Sequence, residues 1–523
     1  MQKSLRKSLS SLTAVPFLIA VVVAVNLLGL FFFTRFDLTD ARLYSLSEAS
    51  KRLAGSLDDP VIIKLYFSED LPAPYNANAR YLKDQLYEYR AYSGDRVRFE
   101  FIDPIQTDRE EEAMGLGIPP MQIQVLEKDK VELKKVYMGL VFLYEDRREV
   151  IPVVQSTRNL EYELSSAIRK VTTVELPTVG FLSGHGESGL YTNLQTVRQA
   201  LEQLYYVRTI TLSPGNLIDE TISTLVIVGP TDSIPAWDQY AIDQFLMRNG
   251  KLAVCYDPVA ADLQEQTATN RSLNWGEFLA HYGIRVNENL IIDAQCSQIA
   301  VTQQQGFIRF QNLVQFPYMP EVRTFNPDNL VSKDLEVVSF LFISPVDSTL
   351  ADSLGLALQP LCWSSERSGI RRAPYYISLM QESVPEDFDQ PPQVLGAAIT
   401  GVFRSAFPGG PPVDPAVDRA SLPDPMPAGM PGRLVVMGDA DFCSDQGIRG
   451  GSNLTFFMNI VDWLTQDESL ITIRSREVTS RPLAEVSDGQ RRLIKYANIF
   501  GPSVLIVLLG VWRWQVRRRT KRS

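Results

Sequence analysis

Histidine and cysteine are nearly missing from this chain: its 523 residues hold two His and four Cys. Two imidazoles, His185 and His281, exclude histidine-rich metal chemistry. Cys255, Cys296, Cys362 and Cys443 are far apart in sequence and form no CxxC pair. Neither a dense disulfide framework nor a thiolate zinc or redox site is expected from them. Signature loops are few too: no Walker A, HExxH or EF-hand pattern occurs. No cofactor and no metal are expected, and no tandem repeat is visible.

Charge is what the longest apolar run of the chain lacks. Leu12–Phe33 holds 22 residues without a charge, against the about 20 that a helix needs to cross a bilayer core. Tyr496–Trp514 is shorter, with aromatic residues at both ends and Arg513 near its close. Lys3, Arg6 and Lys7 precede the first run, and Arg517, Arg518 and Arg519 follow the second. By the excess of basic residues on the cytoplasmic side, both termini are expected in the cytoplasm. The expected localisation is a two-pass protein of the bacterial inner membrane, with its large middle extracytoplasmic and lipid as one partner. The first run exceeds a signal-peptide core and lacks a small-x-small cleavage site, so it is expected to stay as an anchor.

Taking the nine basic residues of the two ends from the total of 51 leaves 42 Lys+Arg against 61 Asp+Glu, so the middle carries about −19. An acidic domain of this kind is a poor nucleic-acid binder.

After the first run, Ser47 is a plausible N-cap for a helix ending at Gly55. Strand patterns at 61–68 and 96–103 flank a helical pattern at 75–93, and a short helix is expected at 108–114. "MQIQVLEKD", "KVYMGLVFLYEDRR" and "EVIPVV" complete an order β-α-β-α-β-β that resembles a thioredoxin-like domain over 36–156. Without a cysteine there, such a domain would bind or space rather than react. A helical stretch at 157–176 reads as a connector.

From 177 to 483 the alternation lengthens. "TVGFLSG", "YVRTITL", "TLVIVGP" and "KLAVCYDP" read as strands, with helices between them. The unbroken apolar run Leu225–Val228 predicts strands buried on both faces, hence a doubly wound parallel sheet covered by helices. The Pro/Gly-rich insertion at 408–432 reads as an exposed loop adding little to the core. A juxtamembrane segment at 484–495, the run at 496–514 and a basic cytoplasmic tail at 515–523 close the chain, as residues 1–11 open it.

Ligands of such sheets bind outside the carboxyl ends of the strands. The polar residues expected there are Ser183, His185 and Glu187, then Asp257 beside Cys255, then Asp439 and Asp441. Together they form the candidate ligand or partner site. Three positions of one loop rarely converge as nucleophile, base and orienter. "VGFLSGHGESG" therefore reads first as a turn, with Ser183 and Glu187 capping it and His185 exposed. Cys255 reads as a buried strand cysteine, and Asp439 and Asp441 as turn-capping carboxylates; with His185 and Glu187 they would alternatively suit a hard divalent ion.

"FDLTDARLYSLSEAS", "VGFLSGHGE", "LVIVGP", "GKLAVCYDP", "VVMGDADF", "NLTFFMNIVDWL" and the "RPL" before the last run occur in this order along nearly the whole chain. In this the chain resembles the GldG-like auxiliary proteins of ABC-2 type transporters, named from gliding motility. The resemblance implies a non-catalytic, membrane-anchored extracytoplasmic subunit working with a separate permease and ATPase, and binding a substrate, an envelope protein or a glycan. It also implies a class I glutamine amidotransferase-like central domain without a catalytic set. An envelope hydrolase using Cys255 or the His185/Asp439 region, and a structural scaffold of a motility or secretion complex, are the alternatives.

Overall fold

The structure, a computed structural model, describes residues 45–465 apart from 128–129, 155, 158–159, 174, 272, 306–307, 378–383, 414–416, 418, 420–421 and 449–450, together with Ile471, Ile473, Lys495, Tyr496, Asn498 and Gly510. The chain divides into the units Met1–Val478 and Thr479–Ser523, and the elements below belong to the first.

Among the described residues no helix is long and apolar enough to cross a membrane. The longest, Tyr75–Tyr92, has 18 residues, among them Arg80, Lys83, Asp84, Glu88 and Arg90. Charges spaced this way leave no apolar stretch of membrane length. The expectation of two transmembrane helices, and with it the two-pass inner-membrane localisation, is corrected on this ground. The run Leu12–Phe33 and the residues Lys3, Arg6, Lys7, Arg517, Arg518 and Arg519 lie outside the described residues, as does most of 496–514.

The fold is mixed α/β. Its first part runs α1 (Glu48–Gly55), β1 (Val61–Phe67), α2 (Tyr75–Tyr92), β2 (Val97–Ile102), α3 (Glu110–Gly115), β3 (Met121–Glu127), β4 (Lys130–Val136), β5 (Met138–Tyr144), β6 (Arg147–Ile151) and α4 (Leu160–Thr172). Ser47 caps α1, its hydroxyl accepting from the Ser50 amide at 3.1 Å. The sheet order is β2-β1-β5-β6, parallel only between β1 and β2. Strands β3 and β4 form a separate hairpin outside that sheet, where Leu133 is exposed. The apolar content explains the split: "MGLVFLY" can be buried on both faces, whereas "KVELKKV" cannot.

Helix α4 packs its Leu160, Leu164, Ala167, Ile168 and Val171 into this first core. A buried polar knot locks it there. The Glu161 carboxylate accepts from the Ser47 amide at 2.7 Å and the Ser50 hydroxyl at 2.6 Å, and Tyr89 and Ser165 share a hydrogen bond of 2.6 Å.

The second part runs β7 (Thr178–Leu182), α5 (Gln195–Leu201), β8 (Tyr206–Ile210), β9 (Ile222–Val228), α6 (Ala236–Met247), β10 (Lys251–Cys255), α7 (Trp275–His281), β11 (Leu290–Asp293), β12 (Cys296–Gln305), β13 (Ile308–Val322), β14 (Thr324–Phe325), β15 (Ala357–Trp363), β16 (Ser368–Arg371), β17 (Tyr375–Tyr376), β18 (Val394–Arg404), β19 (Ala428–Met437) and α8 (Asn453–Leu464), with shorter elements between. Eight strands form one sheet in the order β14-β15-β18-β19-β10-β9-β7-β8. The five from β19 to β8 are parallel, as the apolar runs predicted. The other three are antiparallel, so the sheet is mixed rather than wholly parallel.

Alternate strand residues separate its two faces. Leu225, Ile227, Leu252, Val254, Leu434 and Val436 meet α6 and α7 on one side. Val226, Val228, Ala253, Cys255, Val435 and Met437 meet α5 and α8 on the other. Three layers result, and every carboxyl end of the parallel strands opens at one edge.

The proline-rich insertion does more than decorate the surface. Strand β19 begins inside it, pairing Ala428 with Arg404, and the buried Gln244 of α6 grips Met426 through two backbone hydrogen bonds of 2.9 and 3.2 Å.

Candidate functional site

At the end of β7 the chain turns through Gly184 (φ 138°) and Gly186 (φ 76°). A side chain at Gly186 would also collide with Thr231, since an ideal Cβ there falls 1.9 Å from its Oγ1. The turn folds the Glu187 carboxylate back under its own backbone, where one oxygen accepts from the amides of Gly184 (2.9 Å) and His185 (2.7 Å). The other oxygen lies 2.9 Å from His185 Nδ1.

His185 Nε2 lies 2.8 Å from Asp238 Oδ2, in the first turn of α6. The His185 carbonyl accepts from the amides of Thr231 and Asp232, and the Trp275 ring stands nearly perpendicular to the imidazole with centroids 6.5 Å apart. With its side chain 6% exposed, His185 is buried rather than exposed as the sequence suggested.

Two carboxylates on two ring nitrogens favour the imidazolium, since only that form donates from both. Hydrogen bonds first to Asp238 and then to Glu187 raise the His185 pKa to about 9, against the opposing effect of burial. Burial pushes Glu187 upward, yet the hydrogen bonds from the side chain and backbone of His185 prevail and hold it below the usual carboxylate range.

A second group gathers beyond β10 and β19. Asp257 Oδ1 accepts from the Ala440 amide at 2.9 Å. Asp439 is fully buried and accepts from the amides of Leu341 (2.7 Å) and Phe442 (3.1 Å). Burial, then the charge of Asp441, pushes Asp257 up to about 7. Burial, then the charges of Asp257 and Asp441, drives Asp439 well above its ordinary value. Asp441 sits at the solvent edge of this group; desolvation raises its carboxyl too, opposed by Arg271. The Arg271 guanidinium reaches the Asp257 carbonyl at 3.5 Å.

Gly229, at φ 60°, is where the loops meet: an ideal Cβ there would lie 3.2 Å from Ala440 Cβ, 3.5 Å from Ser188 Oγ and 3.9 Å from Asp257 Oδ2. The structure thus pairs His185 with Glu187, and Asp257 with Asp439 and Asp441. Ser183, half-buried, spends its amide on the Ile210 carbonyl.

The family described as an ABC-type uncharacterized transport system matches residues 176–466, which span the whole eight-stranded sheet and more than half of the chain. This chain belongs to that family. A domain of unknown function matches residues 40–143, which cover the first sheet up to β5. An uncharacterized protein of Borreliella burgdorferi is 25% identical over 508 residues, covering 93% of this chain and 94% of its own length. Among solved structures, the mmIFT52 N-terminal domain is similar at 12% identity and a TM-score of 0.33, over 55% of this chain and 97% of that one. The exo-beta-1,4-mannosidase Op5Man5 from Opitutaceae bacterium strain TAV5 is similar at 11% identity and a TM-score of 0.21, over 79% and 51%. At such TM-scores the likenesses bear on neither fold nor function.

In this transport-system protein the site holds charge and hydrogen bonds, with no activated nucleophile on its histidine. Both nitrogens of His185 are committed to carboxylates, and Cys255 is buried in the face that packs on α5 and α8. Cys443 is also buried, its thiol donating to the Ala440 carbonyl at 3.3 Å. Among the described residues no group of three or more His, Cys, Asp or Glu is arranged to hold a metal ion.

Sequence reasoning missed Asp238. Its only signal was an acid in the first turn of an otherwise apolar helix, a position that ordinarily serves the helix dipole. Arg271 was missed because it belongs to no recognisable motif, and Ser188 because nothing in the glycine loop sets it apart from its neighbours.

Proposed function

We propose that this chain is a non-catalytic auxiliary subunit of an ABC-type transport system, working with a separate permease and ATPase. It binds a substrate or an assembly partner at the carboxyl edge of the eight-stranded sheet. The surface is built around Asp257, Asp439 and Asp441 and braced by the loop of Ser183, His185 and Glu187. Within the family, the ordered motifs favour a GldG-like place beside an ABC-2 type permease.

The observation that carries this reading is the family match over the residues that build that sheet and its polar edge. The geometry agrees with a binding role, since a histidine locked between two carboxylates serves as a brace and has no nitrogen left for a substrate. Affinity purification of the tagged full chain under mild detergent should recover an ABC ATPase and a permease. Recovery of the chain with neither would sink the proposal. Asp441→Lys, at the solvent edge, should lower that recovery while leaving the chain folded, with thermal unfolding no earlier than the parent's.

A further inference from the structure

Far from these loops in sequence, a second concave site opens over a smaller core formed by Leu290, Ile292, Phe316, Tyr318, Tyr375 and Ile377, among others. Its cleft of about 650 Å³ has Ile292 and Pro317 among its lining residues, along with a belt of tyrosine, arginine, aspartate and glutamine. That volume lies within the range of small-ligand sites.

Most polar groups of the belt are already engaged. Arg371 Nη2 pairs with Asp387 Oδ1 at 2.6 Å. The Tyr375 hydroxyl lies 2.8 Å from both Asn270 Oδ1 and the Glu288 carbonyl, and its one hydrogen is shared between these acceptors. Gln390 spends its amide nitrogen on Asp389. Two groups are left over. Tyr376 is 75% exposed. Arg372, also exposed, makes no ion pair among the described residues.

We infer that this cleft binds an acidic sugar, one uronate-type unit of a glycan, with the Tyr376 ring stacked on the C–H face of the pyranose and Arg372 paired with its carboxylate. A tyrosine presents a rigid apolar face with a polar tip, which suits a ligand having one apolar face and hydroxyls around its rim. Arginine matches a carboxylate with two parallel N–H donors.

The remaining charges narrow the ligand further. Asp387 already compensates Arg371, so among the described residues of the belt one cation is left, matching one acid group seated in the cleft. An extended peptide is disfavoured because β17 is two residues long, too short an edge to template a strand. The inference goes further than the transport reading by naming a ligand class.

The test is calorimetric titration of the full chain with tri-galacturonate, with the neutral maltotriose and the acidic peptide triglutamate as comparisons. Tri-galacturonate should bind, and Tyr376→Ala and Arg372→Ala should each weaken it by about tenfold. Tyr376→Phe should keep the affinity. Both altered side chains are exposed, so the variants should unfold as the parent does. Four results would each overturn the inference: no binding of tri-galacturonate at millimolar concentration, equal binding of maltotriose, binding of triglutamate in its place, or indifference to both alanine variants. The titration needs no transporter partner, so its failure and a failed co-purification are separate outcomes.

Discussion

His185 Nε2 lies 2.8 Å from Asp238 Oδ2, a bond that ties the glycine loop after β7 to the first turn of α6. With Glu187 on the other ring nitrogen, the imidazolium closes a triad whose three side chains are at most 10% exposed. Its net charge is −1 when all three are ionised, and the amides of Gly184 and His185 take up part of the excess. The triad holds the loop whose Ser188 reaches Gly229, beside Asp257.

Removing the imidazole strands two buried carboxylates against each other. His185→Ala is expected to destabilise the fold by about 3 kcal/mol, the scale for breaking a buried ion pair on one side. Urea unfolding followed by circular dichroism checks it. A loss under about 1 kcal/mol would mean that the loop stands without its brace.

The same triad sets a pH dependence. The folded pKa of His185 is about 9, above the 6.5 of the free side chain. Its contribution to stability is therefore complete below pH 6.5 and is lost as the pH rises through about 9. The urea midpoint of the parent should fall across that window, while that of His185→Ala should stay nearly flat there. Parallel curves would assign the dependence to other groups.

Much of the scaffold was legible in the sequence because its strands are continuous apolar runs and its helices carry local signals. Ser47 caps the predicted helix, and Leu225–Val228 lies in a strand buried on both faces. What escaped is long-range. Nothing local says that β14, β15 and β18 join the parallel strands in the opposite sense, because antiparallel partners are chosen across connections of more than 20 residues. His185 looked like an exposed turn residue because its burial depends on Asp238, 53 residues on. The Asp257 and Asp439 carboxylates are held by the amides of Ala440, Leu341 and Phe442, and a sequence does not announce which amides will face a carboxylate.

Burial of those carboxylates, and after it their crowding, predicts a gain on neutralising one. Asp257 has a folded pKa of about 7 against 3.8, so the folded state holds that proton more tightly. Stability falls as the pH climbs from 3.8 and the full loss is reached above 7. Asp257→Asn keeps an oxygen for the Ala440 amide and removes the charge. At pH 8 it should be more stable than the parent by about 2 kcal/mol, with a smaller gain at pH 5. An equal effect at both pH values would refute this account.

Gly186 gives the most direct test of the loop itself, because two independent costs fall on one methyl group. At φ 76° any L side chain is strained, by about 1 kcal/mol, and the added Cβ would also fall 1.9 Å from Thr231 Oγ1. Gly186→Ala should therefore destabilise by about 2 kcal/mol or more, and Thr231→Ala in the same chain should recover only the steric part. Thermal unfolding of the two single variants and the double variant separates the terms. Full recovery in the double variant would mean that the backbone strain is absent; no recovery would mean that the loop moves away from Thr231, and with it the brace that His185 provides.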